Sequence, residues 1–105
     1  METYDILREL ITNLVWIQQE IDDNGGPANW ENAEMNLQYS DMRFKILDIL
    51  GLDDTRENVK LCYANNFNCE DEEDREIEID KILHRLYRAA ERARINELNY
   101  EYLEV

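Results

Sequence analysis

Apolar residues recur along this chain at helical rather than strand spacing. At about 100° per residue, Leu7, Leu10, Ile11, Leu14, Ile17 and Ile21 share one face of a segment near 3–23, with Val15 beside it. Ile79, Ile82, Leu83, Leu86, Ala89, Ala90 and Ala93 do the same in a segment near 70–100. A segment near 28–50 instead carries two apolar flanks. One holds Trp30, Ala33, Leu37, Phe44 and Leu47; the other holds Met35, Tyr39, Met42, Ile46, Ile49 and Leu50. Such a helix is either wedged between neighbours or reserves one flank for another chain. A short segment near 54–66 points Val59, Cys62, Tyr63 and Phe67 inward. Strand-like alternation is confined to the brief Ile77/Ile79 pair. The pattern predicts an all-α fold: a small helical bundle of three long helices and one short helix, in a single domain spanning 1–105.

The breaks between segments carry their own chemistry. Asn24-Gly25-Gly26-Pro27 reads as a helix stop followed by a start, because Gly ends helices and Pro suits a first turn. Gly51-Leu52 resembles a C-terminal cap with its hydrophobic contact. Asp54 with Glu57 three residues on resembles a capping box, and Asn65-Asn66-Phe67-Asn68 makes the third break. Tyr100, Tyr102, Leu103 and Val105 predict a C-terminal tail that docks.

Charge changes the picture next. The 105 residues hold 25 acids and 11 bases, a net charge of −14. Half of that excess lies in Glu70–Asp80, where eight carboxylates surround the single base Arg75. A field of this sign repels nucleic acid and anionic membranes and attracts basic surfaces. The run lacks the central Gly and alternating ligands of a calcium loop. Its place at the head of a helix whose later residues include Lys81, Arg85, Arg88, Arg92 and Arg94 suits the helix dipole. A second reading competes: one carboxylate per about 2 Å of helix approaches the charge spacing of duplex DNA. The candidate acidic surface is therefore Glu70, Asp71, Glu72, Glu73, Asp74 and Glu76, joined by an exposed stripe of Glu31, Glu34, Asp41 and Asp48.

Two further features point to partners. Lys81, Arg85, Arg88 and Arg92 recur opposite the apolar face of the last segment, as a surface for a partner or for the acidic helix of a second copy. Trp16 falls opposite the Leu7/Leu10/Leu14 face, and an outward Trp is a typical binding anchor. Trp30, at a helix start on an apolar flank, is expected in the core. Catalytic chemistry is thin: one His (His84), one Ser (Ser40), two Cys, and no Gly-rich phosphate loop. The Cys62/Cys69 spacing fits no zinc pattern, so neither an enzyme activity nor a cofactor or metal is expected.

By size, charge, the Glu70–Asp80 run and the Glu31/Glu34/Asp41/Asp48 stripe, the chain resembles, at the level of a class, the small acidic helical proteins with which phages block host nucleic-acid enzymes. That class includes DNA mimics that defeat restriction or CRISPR effectors. The resemblance implies a non-catalytic inhibitor that occupies the nucleic-acid groove of a basic protein. The alternative is a structural or adaptor protein that self-associates, as a homodimer, or binds a partner protein through an apolar flank. No apolar run approaches the roughly 20 residues of a membrane span, and METYDILREL offers no basic leader. The expected location is a cytoplasm (the host's, for a phage protein), with reduced cysteines.

Overall fold

In a computed structural model of the chain, residues 3–64 and 71–103 are described, those from 95 onward as backbone only. Helix α1 (Thr3–Asp23) leads through a turn of 3-10 helix (Trp30–Asn32) into α2 (Ala33–Ile49). The short α3 (Arg56–Leu61) and the long α4 (Glu72–Leu103) follow. The fold is all-α, with no strand among the described residues. Helix α1 packs against both α2 and α4, and α3 rests on α4.

The core follows from the helical faces. Leu7, Ile11, Leu14, Val15 and Ile21 of α1 meet Tyr39, Ile46 and Leu47 of α2 and Ile79, Ile82, Leu83 and Leu86 of α4. Leu10, Ile17, Ala89, Ala90 and Ala93 pack at its margin, partly buried. Each fully buried Leu or Ile contributes about 1.5–3 kcal/mol, so these faces dominate the folding energy. Cys62 closes the core beyond α3. Tyr63, expected inside, is 40% exposed, although its ring stacks on Tyr39 at 5.9 Å between centroids. Phe67, the Asn65–Asn68 break and the docking of the Tyr100–Val105 tail lie outside the described side chains.

Polar contacts decide how α1 turns into α2. Gly25, at φ +91°, takes the left-handed position after α1, and the Gly26 N–H returns to the Ile21 carbonyl at 2.8 Å. Asn32 then enters the corner fully buried. Its Nδ2 donates to the carbonyls of Gly26 (2.8 Å), Asn24 (3.1 Å) and Ile21 (3.3 Å). Its Oδ1 accepts from Asn24 Nδ2 at 2.8 Å. A second polar tie is Gln18: its amide exchanges hydrogen bonds with the Ala64 backbone, at 3.1 Å and 3.2 Å, and its Oε1 also accepts from the Tyr39 hydroxyl.

The segment boundaries differ from expectation for local reasons. The second segment opens as a 3-10 turn capped by Asn29, whose Oδ1 accepts from Glu31 N–H, so α2 proper starts at Ala33 rather than 28. At α3 the cap is Thr55, whose hydroxyl accepts from Asn58 N–H at 3.2 Å, and not an Asp54/Glu57 box. Helix α3 stops at Leu61, well short of 66. The Gly51 cap is as expected: φ is +69°, the Leu52 N–H bonds to the Leu47 carbonyl at 2.9 Å, and Leu52 is buried.

Because Asn32 donates to three carbonyls at once, Asn32→Ala should cost about 2–4 kcal/mol in urea unfolding, whereas Gln38→Ala, exposed on α2, should cost under about 1 kcal/mol. Equal effects for the two would refute the role given to the buried amide.

Candidate partner-binding surface

The predicted acids of α2 lie where expected. Glu34, Asp41 and Asp48 are exposed along one line of the helix, and Glu31 is exposed in the turn ahead of it. Trp30 is not where expected. It is 82% exposed, because Asn32 occupies the interior position of that turn and rotates Trp30 to the outside. Leu37 is 68% exposed and Phe44 57%. These are the three most exposed large apolar side chains among the described residues. The other flank of α2 turns inward, with Tyr39 and Ile46 buried and Met35, Met42 and Leu50 half-covered, except Ile49 at its end, which is 40% exposed. Helix α2 is therefore not wedged between neighbours. One flank builds the core, and the other, apart from the buried Leu47, faces outward.

The exposed residues are ordered. Trp30, Leu37 and Phe44 stand seven apart, and Glu34, Asp41 and Asp48 stand seven apart, offset by four. Successive members are thus four and three residues apart, the spacing that keeps side chains on one helical face. The face alternates large apolar groups with carboxylates. The signal was present in the sequence: a flank that shares its arc with three carboxylates is poorly suited to a core, where unpaired charge is costly.

The acidic run is divided among several tasks. Glu70 lies outside the described residues. Asp71 precedes α4, and Glu72, Glu73 and Asp74 fill its first turn, all exposed. Glu76 and Asp80 hold Arg8 of α1, with Arg8 Nη1 to Asp80 Oδ1 at 2.6 Å. Hydrogen bonding to Asp80, then to Glu76, holds the Arg8 guanidinium above its usual pKa against partial desolvation. Glu78 is buried. The run is thus the start of a helix clamped to α1, with its free charge concentrated between Asp71 and Asp74.

The other sequence candidates are placed differently from one another. Trp16 is 44% exposed, and the Arg75 guanidinium sits 3.7 Å from its ring centroid, so α4 covers much of this indole through a cation–π contact. Lys81, Arg88 and Arg92 are exposed on α4. Arg85 departs from the row: it is half-buried and its Nη2 donates to the Tyr63 carbonyl at 2.8 Å, so it secures the chain after α3.

Sequence reasoning also passed over Arg43. With Gln18, Asp22, Tyr39, Ser40 and Tyr63 it lines a cleft of about 340 Å³ between α1 and α2. Asp22 lines the same cleft, which therefore carries both signs of charge. Among the described residues no group of three or more His, Cys, Asp or Glu side chains is placed to hold a metal ion. No helix among them is long and apolar enough to cross a membrane. Burial pushes the Tyr39 hydroxyl well above its ordinary range and the Cys62 thiol up to about 11. No family model, curated protein or solved structure matches this chain.

The Cys62 shift has a direct readout. In a Cys69→Ser background, native protein at pH 8 should react with a thiol reagent about a hundredfold more slowly than urea-unfolded protein, because its thiolate fraction is lower by that order. Since the folded thiol is raised from 9.0 to about 11, the linked stability is intact below pH 9 and falls as pH rises towards 11. Comparable reaction rates in the two states would contradict the buried placement.

Proposed function

We propose that this protein is a non-catalytic binding protein, a small helical bundle that grips a basic protein and obstructs its nucleic-acid surface. The observation that carries the reading is the outer face of α2 and the turn that leads into it, where Glu34, Asp41 and Asp48 alternate with Trp30, Leu37 and Phe44. Exposed aromatic and aliphatic side chains set among carboxylates suit a basic protein surface with apolar recesses. The net charge of −14 adds long-range attraction to such a partner. The acids at Asp71–Asp74 add to this field without forming two backbone-like tracks, so electrostatic competition with nucleic acid, more than shape imitation, is the mechanism proposed. The resemblance to phage inhibitors of restriction or CRISPR enzymes agrees with this reading in size and charge.

A second reading is favoured by the same apolar residues, because a pure charge mimic has no use for Trp30, Leu37 and Phe44. It makes the protein an adaptor whose complex is held mainly by apolar contact.

The experiment is affinity capture from a host lysate at low salt, with duplex DNA as competitor. Nucleic-acid-binding proteins released by DNA or by 0.5 M salt, and at least tenfold depleted with Glu34→Lys/Asp41→Lys/Asp48→Lys bait, are the expected result. Capture that resists salt and DNA yet disappears with Leu37→Ser/Phe44→Ser bait would establish the adaptor instead. If charge reversal on α2 together with neutralisation of Asp71–Asp74 leaves capture unchanged, the inhibitor reading is wrong.

A further inference from the structure

We infer that the outer face of α2 is a heptad seam built to receive one amphipathic, basic α-helix of the partner. The inference rests on the reading of α2 as the binding face and specifies what fits it. Seven residues fall short of two full turns of an α-helix by about 20°, so a strict seven-residue pattern is followed best by a second helix crossing at about 20°. Leu37 and Phe44 keep that repeat on α2, with Trp30 at the same interval in the 3-10 turn ahead of it, and Glu34, Asp41 and Asp48 keep it throughout α2. In a two-helix contact the apolar set takes an inward position and the carboxylates lie beside it, where they can pair with charges of the opposing helix. The edges of the seam suit close approach: Ala33 and Ser40 are small on one side, and Gln38 and Lys45 are polar on the other.

Charge then selects the occupant. Three carboxylates repeat every ~10.5 Å along α2 and among the described residues none is tied by an ion pair. A matching helix presents Lys or Arg at the same interval beside its own apolar row. A second copy of this chain meets the seam poorly, because two molecules of net charge −14 repel. The basic row that could have answered it has also given Arg85 to the Tyr63 carbonyl. A nucleic acid is excluded by the sign of the face, and a flat protein surface would touch only part of a seam that winds around its helix.

The test uses the intact protein and a synthetic 21-residue peptide with Leu at every seventh position and Arg four residues after each Leu, on an Ala/Gln background. A peptide of identical composition in scrambled order serves as control. By fluorescence anisotropy the patterned peptide should bind at least tenfold more tightly than the scrambled one, and its helicity by circular dichroism should rise on binding. Leu37→Ser/Phe44→Ser and Glu34→Gln/Asp41→Asn/Asp48→Asn should each weaken it at least tenfold, and all substituted positions are exposed, so folding is retained. Scrambled and patterned peptides binding within twofold of each other would overturn the seam, and that comparison needs no variant. A dimer of the protein alone, dispersed by Leu37→Ser/Phe44→Ser, would overturn the choice of occupant. Patterned-peptide binding alongside DNA-indifferent capture from lysate would leave the seam standing and sink only the inhibitor reading.

Discussion

The buried amide of Asn32 is the interaction from which the external character of this protein follows. It gathers the carbonyls of Ile21, Asn24 and Gly26, around the end of α1 and the turn after it, and ties them to the first turn of the next helix. A buried polar group is tolerated only when its partners are complete, and here completeness fixes the rotation of the turn that opens α2. With Asn32 inside, Trp30 two residues earlier must be outside. The register of the outer face, and hence the alternation of apolar groups and carboxylates along it, is inherited from that corner.

Charge is partitioned in a way its totals conceal. The densest acidic stretch is divided: Glu76 and Asp80 clamp Arg8 and Glu78 is buried, whereas Asp71, Glu72, Glu73 and Asp74 stay exposed at the start of α4. The sparser acids of α2 are the ones left on a patterned surface. Arg75, the single base in the run, is drawn onto the Trp16 ring, which gives that indole cover on a face that would otherwise be wet. Part of what looks like a binding motif in one dimension clamps α4 to α1 in three, and what looks like half of a core is surface.

The sequence made α1 and α4 legible because each has one apolar arc, and a single arc admits one packing. It also announced the Gly25 and Gly51 stops, since left-handed backbone after a helix strongly favours Gly. Helix α2 was ambiguous because its two flanks are similarly apolar, and periodicity alone cannot rank them. The three carboxylates within one arc would have ranked them, as would the recognition that an Asn in a Gly-rich corner can take the buried place. The Arg8 clamp, the Gln18 bridge to Ala64 and the use of Arg85 by Tyr63 join residues far apart in the chain, and no local pattern marks such pairs. The cap at Thr55 was missed by one position because Asp54 offers equivalent chemistry.

Helix α2 is held at both ends, by Asn29 and Asn32 where it begins and by the Gly51 closure where it stops. Its outer side chains are therefore carried on a backbone already in its final shape before anything arrives. In any association the entropic cost of ordering falls on the incoming molecule. In the proposed complex the labour divides in time as well: the diffuse negative field would govern how often encounters occur, and the fit of Trp30, Leu37 and Phe44 how long they last.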